Sequence, residues 1–443
     1  MKMQVPEKVN FIINTLIEHG FEAYAVGGCV RDTILNRDPG DWDITTSANP
    51  EEVKKLFRRT IDTGIEHGTV TVMMNKEGFE VTTYRIDGEY EDNRHPKNVE
   101  FTTNLVEDLK RRDFTINAMA YNDRNGLVDV FGGLDDLKEK VIKCVGNPED
   151  RFDEDALRIL RAVRFSAQLG FRIEENTTKA IAKKAEKLKN ISAERIRVEL
   201  NKLLLSDEPS KLFIAYETGI TKIIFPEFDA MLNTNQNNPH HCYNVGIHAL
   251  KAVEEVGKDH ILRWTMLLHD IAKPLVRTTS TDGIDHFYGH VEKSASLAKL
   301  ILRRLKFDND TTNKVVRLIR YHDYQFHLTS TDMRHAIYTI GEDIMEYLFE
   351  VKKADILAQN PKTHQDKLTH LEEAQKIYHR IKANKDCVNL KSLAINGSDL
   401  LQLGFKPGKI MGDVLNQLLK RVLEEPSMNN REQLLELAKQ MYR

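Results

Sequence analysis

The sequence predicts an α+β protein, a mixed strand-and-helix N-terminal segment followed by all-helical segments. Three observations lead there. Short β-rich runs at Glu22–Val26, Thr69–Met74 and Phe79–Arg85 alternate with helical stretches only up to about residue 145. Beyond Asn147-Pro148 the apolar spacing turns helical almost to the end. The 443 residues exceed what one core accommodates, since domains average ~150 residues.

The elements follow in order. Residues up to Gly20 read as a short amphipathic helix carrying Glu7, Lys8 and Glu18, without the basic-then-apolar pattern of a secretion signal. Strands and helices then alternate to residue 145. The helical remainder breaks near Ser206–Pro209, Asn233–Pro239 and Asn360-Pro361, where turn-forming residues cluster. These breaks divide the chain into expected domains at 1–145, 146–235, 236–360 and 361–443. No repeat of solenoid period and no low-complexity tract interrupts them.

Composition excludes several classes. With 41% hydrophobic and 30% charged residues, the chain is neither disordered nor fibrous. No apolar run approaches the ~20 residues that span a bilayer. Cys29, Cys144, Cys242 and Cys387 lack disulfide or metal spacing, so a cytoplasmic location and no membrane partner are expected. A net charge of −3 gives no overall field for a polyanion, and any RNA site must be local. Arg151 to Lys202 holds 13 basic against 8 acidic residues and could meet phosphates, or be simply a solvated helical face.

Gly27-Gly28 follow the first expected strand and precede Cys29-Val30-Arg31-Asp32, which reads as a first helical turn. Glycines let backbone amides approach a phosphate, although such a pair is often only a turn. In Asp41-Trp42-Asp43-Ile44, strand alternation would point both carboxylates to one face. Unmetallated, the pair would repel; two Mg²⁺ ions between them would hold both oxygens of a phosphoryl transfer.

Together these residues resemble the signature of the DNA polymerase β-type nucleotidyltransferases. Leu109 to Ala120, containing Arg112-Asp113 and Asn117, then Asp129-Val130-Phe131-Gly132-Gly133, then Glu154-Asp155-Ala156-Leu157-Arg158, resemble the ordered motifs of class II tRNA nucleotidyltransferases, a family that includes bacterial poly(A) polymerases. The resemblance covers residues 20 to 225. It implies a head with Asp41 and Asp43 as catalytic Mg²⁺ ligands and a helical neck that recognises the nucleotide. Gly27, Gly28, Arg31, Arg112, Asp113, Asn117, Asp155, Arg158, Arg161 and Arg164 are the implied nucleotide-binding residues, with Asn117 a structural support. Asp129 to Gly133 would be the hinge between head and neck. ATP, CTP and tRNA are the implied partners, and no obligatory protein partner is inferred.

Asp155 and Arg158 stand one helical turn apart and would lie side by side. An ordinary surface salt bridge has that spacing too. As a protein template, a carboxylate beside a guanidinium matches the amino donor and ring-nitrogen acceptor that cytosine and adenine share. Glu80 is a possible third carboxylate. The polar segment Asp87 to Pro96 reads as a loop and resembles the flexible loop of enzymes able to add the terminal A.

His269-Asp270, with His248 upstream and Asp355 on a later helix, resembles the HD phosphohydrolases. The resemblance implies a divalent transition metal that polarises water. His290 and His322 match positions that support a second metal or a phosphate. The alternative for each histidine alone is an ordinary core or surface role. His240 and His241 are candidates without a defined part. In tRNA nucleotidyltransferases with such a module, the resemblance implies hydrolysis of 2′,3′-cyclic or phosphorylated RNA ends. The tail segments Leu393–Leu400 and Gly404–Gly412 resemble a helical element expected against the tRNA elbow.

CCA addition to tRNA is the function this reading favours. A poly(A) polymerase is the nearest rival, although the strongly basic extension of that group is missing. An A-only tRNA nucleotidyltransferase is another. From other classes, an HD hydrolase with a head that only binds RNA, or a tRNA binder without chemistry, leaves the paired Asp41 and Asp43 without a use.

Overall fold

The computed structural model describes residues 2–88, 99–238 and 242–442, which form two compact units, Met1–Pro226 and Glu227–Arg443. Most of the loop expected at Asp87 to Pro96, together with His240 and His241, lies outside the described residues.

The first unit is built on a seven-stranded sheet. Its strands are β1 (Ala23–Val26), β2 (Ile44–Thr46), β3 (Thr60–Gly64), β4 (Thr69–Met74), β5 (Glu77–Thr83), β8 (Met119–Asn122) and β9 (Gly126–Asp129), with the two-stranded pair β6 (Arg85–Asp87) and β7 (Val99–Phe101) apart from it. Spatial order is β3-β4-β5-β2-β1-β8-β9. All four residues of β1 and of β8 are buried, as central strands covered on both faces must be. Helices α1 (Glu7–Glu18), α2 (Gly28–Ile34), α3 (Pro50–Leu56), α4 (Leu105–Lys110) and α5 (Gly133–Lys138) accompany the sheet. On α1, Val9, Ile12, Ile13 and Leu16 are buried at helical spacing, each contributing ~1.5–3 kcal/mol of apolar burial. Asn49 and Glu52 close a reciprocal capping box that starts α3.

Beyond Pro148 the unit is helical, apart from the short parallel pair β10 (Val141–Ile142) and β11 (Arg172–Ile173). Helices α6 (Pro148–Glu154), α7 (Leu157–Leu169), α8 (Glu175–Lys184) and α9 (Ala193–Leu204) precede α10 (Leu212–Glu217) and α11 (Ile220–Ile224); α12 (Pro226–Leu232) belongs to the second unit in all but its first residue. Nine residues of α7, Leu157 and Phe165 among them, are buried, and the helix stops at Gly170 with φ +70°.

The second unit comprises α13 (Val245–Glu255), α14 (His260–Leu268), α15 (Lys273–Val276), α16 (His290–Arg304), α17 (Asn309–Tyr321), α18 (Ser330–Ile340), α19 (Met345–Leu357), α20 (His364–Asn384), α21 (Gly397–Gln402), α22 (Lys409–Glu424) and α23 (Arg431–Tyr442). One hairpin, β12 (Thr278–Thr279) with β13 (Asp285–His286), departs from the all-helical expectation. Its local cause is a buried carboxylate: Asp285 accepts from Arg277, Thr279 and the Asn237 amide. The last stretch has its own apolar cluster, including Leu400, Leu418, Leu419, Val422 and Leu434.

Candidate active sites

The first site lies where β1 ends and β2 begins. Ala25 pairs with Ile44, and the Val26 amide donates to the Asp43 carbonyl at 3.0 Å, so Gly27-Gly28 leave the sheet beside Asp43. Gly27 has φ +83°, and a Cβ there would meet Arg112 Nη1 at 3.0 Å. Asp41 and Asp43 are not on a strand, which corrects the sequence expectation. Pro39 and the bend at Gly40 interrupt extended pairing just upstream, and only the Asp43 carbonyl joins the ladder. Trp42, between them, lines a different cavity with Arg37 and Pro39.

Glu80 completes the group. Strand β5 runs parallel to β2 with Val81 opposite Ile44, and one step back along that register sets Glu80 beside Asp43. Partial loss of water raises the affinity of Asp43 for protons; Arg112 opposes this and Asp41 adds to it. Glu80 is raised by the same loss of water and then by Asp43 and Asp41. A group in which Asp43 and Glu80 are both raised by the carboxylates around them is short of positive charge, and its hard oxygens suit Mg²⁺.

Arg112 is held by Asp108, a fully buried carboxylate that sequence reading missed. Asp108 takes Arg112 Nη2 at 3.4 Å, Arg111 Nη2 at 2.8 Å and Thr45 Oγ1 at 3.2 Å. Asp108, on α4, stands three and four residues before the two arginines that follow the helix, and that spacing was the available signal.

A hydrogen-bonded chain runs on from α2. Asp32 takes Arg31 Nε at 2.8 Å, Arg31 Nη1 donates to Asn117 Oδ1 at 2.6 Å, and Asn117 Nδ2 donates to Asp113 Oδ1 at 3.0 Å. Asp113 Oδ2 takes Arg161 Nε at 2.7 Å. Burial alone would raise Asp113, but Arg161, Asn117 and Arg158 hold it well below the usual carboxylate range. Asn117 thus links Arg31 to Asp113. Arg31, Arg161 and Arg164 surround the Phe165 ring, with guanidinium carbons 5.0, 5.4 and 3.8 Å from its centroid. Arg164 is buried against Glu199 at 2.7 Å, and burial pulls it down to about 10.

Asp155 and Arg158 do not share a helix, a second correction. Helix α6 ends at Glu154 and α7 begins at Leu157, because Asp155 turns extended and its Oδ1 caps the Leu157 amide at 3.0 Å. Asp155 Oδ2 takes Arg195 Nη2 at 2.8 Å. Arg158 instead donates to Glu154 and to the carbonyls of Arg151, at 3.1 Å, and Arg111, at 2.8 Å. Arg195 had no local signal in the sequence. At the expected hinge, Asp129 accepts from the Gly133 and Leu134 amides, both at 2.8 Å, and a Cβ on Gly133 would stand 2.3 Å from the Thr115 carbonyl.

The second unit brings together His248, His269, Asp270, His290, His322 and Asp355. His248 Nε2 is 3.2 Å from His269 Nε2 and 3.0 Å from Asp355 Oδ1; His269 Nε2 is 3.2 Å from Asp270 Oδ2. On the other side of Asp270, His290 Nε2 and His322 Nε2 lie 3.4 and 3.9 Å from Oδ1. Donors around one ion at ~2.1 Å stand about this far apart.

Each of the four imidazoles faces a backbone carbonyl with Nδ1: Ala358, Met266, Phe287 and Ile319, at 2.6 to 3.2 Å. Those carbonyls require an Nδ1–H and leave every Nε2 lone pair turned inward. Asp270 Oδ1 is buried without a hydrogen-bond partner, and among the described residues His248-His269-Asp270 and Asp270-His290-His322 each have donor atoms within 4.8 Å. Mixed imidazole and carboxylate donors of this kind fit a transition metal. The carboxylates of Asp270 and Asp355 overcome burial and push His269 up to about 10, the mark of a centre short of positive charge. Burial and His269 push His322 down to about 4. Lys273, three residues after Asp270, reaches its Oδ2 at 2.6 Å and was not picked out from sequence.

Residues 23–143 match the poly A polymerase head domain, 170–232 the probable RNA and SrmB-binding site of polymerase A, and 277–438 the putative tRNA nucleotidyltransferase domain 2. A CCA-adding enzyme of Ligilactobacillus salivarius is 37% identical over 447 aligned positions, covering 97% of this chain and 95% of the relative. The chain belongs to the CCA-adding enzymes. A CCA-adding enzyme of Bacillus velezensis is 36% identical, with 96% of each chain covered. The structure of the Bacillus stearothermophilus CCA-adding enzyme in complex with CTP aligns over 100% of this chain and 98% of its own, with a TM-score of 0.73 and 28% identity. CCA-adding enzymes are tRNA nucleotidyltransferases, which carries the head-and-helices expectation. No described helix is long and apolar enough to cross a membrane.

Proposed function

We propose that this protein adds C, C and A to the 3′ end of tRNA from CTP and ATP, and that a separate phosphohydrolase site in its second unit trims RNA ends. The observation that carries the first part is the meeting of Asp41, Asp43 and Glu80 beside Gly27 and Arg112. In the reaction the terminal tRNA hydroxyl forms a bond to the nucleotide α-phosphorus, the α–β bond breaks, and pyrophosphate leaves. Mg²⁺ held by Asp41 and Asp43, with Glu80, would supply charge stabilisation to the attacking and departing oxygens. The Gly27-Gly28 backbone admits the triphosphate closely, and Arg112, aimed over Gly27 by Asp108, neutralises it.

Asp155 and Arg158 select the base in this reading. Arg195 holds the Asp155 carboxylate from behind, and Arg158 has to exchange Glu154 for the base edge in order to read cytosine or adenine. Asp113 and Asn117 act by fixing Arg161 and Arg31 rather than by touching solvent. Arg164 steadies that cluster from behind. Within the first unit we read a head to residue 145 and a neck beyond it; within the second, a hydrolase-like part to 360 and a tail. The four free thiols suit a reducing cytoplasm.

For the second site, a transition metal held by His248, His269, Asp270 and Asp355 would polarise a water for attack on phosphorus. His290 and His322 share Asp270 from the other side and suit a second ion or the substrate phosphate. Lys273 offsets the charge of Asp270. The test of the main reading uses tRNA transcripts lacking the last three, two or one nucleotides, each with single NTPs. Stepwise C, C and A addition is expected; addition of A alone, or long A tails, would replace this reading with one of its rivals.

A further inference from the structure

Tyr288 is the most exposed large apolar or aromatic side chain among the described residues, at 78%, yet it is not loose. The His286 ring stacks on it with centroids 5.3 Å apart and planes 7° from parallel, and its hydroxyl stands 3.4 Å from His286 Nδ1. His286 ends the β12–β13 hairpin, which is pinned through buried Asp285. After Tyr288 comes Gly289 at φ +74°, then His290, whose amide and Nδ1 both bond the Phe287 carbonyl, at 3.1 and 2.9 Å. The same tight turn that aims His290 Nε2 at Asp270 therefore fixes Tyr288. Both residues line one cavity of about 400 Å³ with Asp270, His322 and Asp355.

A ring covered on one face by His286 and still this exposed turns its other face to solvent. Aromatic faces of that kind hold nucleobases, whatever the base, because each base has a π face. We infer that Tyr288, backed by His286, is the base-stacking shelf of the second site, which takes a nucleotide whose phosphate is set at the histidine–aspartate cluster. The inference rests on the phosphohydrolase reading for its chemistry and on the shelf itself for its ligand class. A nucleotide can reach the shelf as an RNA 3′ end or as a free mononucleotide.

The full chain loaded with Mn²⁺ is compared with Tyr288→Ala and Tyr288→Phe on three substrates: 3′-AMP, an RNA oligonucleotide ending in a 3′-phosphate, and glycerol 2-phosphate, which has no ring. Loss of one stack should raise KM for 3′-AMP about tenfold in Tyr288→Ala with kcat within twofold, and Tyr288→Phe should restore it. Glycerol 2-phosphate should not respond. Calorimetric binding of 3′-AMP to the loaded proteins gives a readout without turnover and should weaken about tenfold in Tyr288→Ala alone. A lower KM for the RNA end than for 3′-AMP, lost with the ring, identifies the RNA terminus as the occupant; equal values identify the mononucleotide. If the loaded parent hydrolyses nothing but the binding difference persists, the shelf stands and the phosphohydrolase reading falls. Equal binding of 3′-AMP by parent and Tyr288→Ala, or equal losses with glycerol 2-phosphate, overturns the shelf.

Discussion

Asp155 gives Oδ2 to Arg195 at 2.8 Å, while Arg158, three residues on, is turned away to Glu154 and two backbone carbonyls. The candidate base-reading carboxylate therefore has a third residue behind it. We expect Arg195→Ala to raise misincorporation of UTP and GTP relative to CTP and ATP about tenfold, in line with Asp155→Ala and Arg158→Ala, since each removes part of one polar reading group. Nearest-neighbour product analysis measures the ratios. Unchanged selection in all three variants would make this a purely structural cluster.

Asp113 predicts a pH effect with a definite sign. Its folded pKa is depressed, so its contribution to stability is present above the unfolded value of ~3.9 and lost as pH falls below it. Asp113→Asn should unfold at a lower temperature than the parent at pH 7, yet lose less further stability between pH 6 and pH 3. Thermal unfolding followed by circular dichroism gives both curves; parallel acid limbs would contradict the assignment.

The hinge segment offers a stability test. Asp129→Ala strips the acceptor from two amides at the start of α5, and a loss of ~1–2 kcal/mol in urea unfolding is expected. Gly133→Ala should cost more, because its Cβ meets backbone at Thr115. A neutral Gly133→Ala would mean that this turn relaxes freely.

For the second site, the double substitution His269→Ala with Asp270→Ala should abolish release of phosphate from 2′,3′-cyclic or 3′-phosphorylated RNA ends while tRNA extension stays within a few-fold. The two activities are assayed on one preparation loaded with Mn²⁺, Ni²⁺ or Co²⁺. Loss of extension in a well-folded double variant would show the two sites to be coupled.

Much of this was legible in the sequence where chemistry is local. Gly27-Gly28, the Asp41-x-Asp43 spacing and His269-Asp270 are each read within a few residues, and the strands Glu22–Val26 and Thr69–Met74 follow from β-rich composition. What escaped depends on register and on long-range partners. Glu80 was open as a possible third carboxylate, because the parallel strand pairing that sets it beside Asp43 has no local pattern, and Arg195 escaped altogether, since it reaches Asp155 across 40 residues. The break between α6 and α7 was missed because helical spacing of Asp155 and Arg158 is equally compatible with a side chain that caps the next helix.

The central claim is that Asp41 and Asp43 carry nucleotide addition. The direct measurement is the single-turnover rate of CTP addition to tRNA lacking its last three nucleotides, by the parent, Asp41→Ala and Asp43→Ala. Because both side chains are exposed, the variants should fold as the parent does. The account predicts a loss of ~10²-fold or more in each, as for removal of a main source of transition-state charge stabilisation. Either variant extending tRNA at more than about a tenth of the parent rate would contradict it.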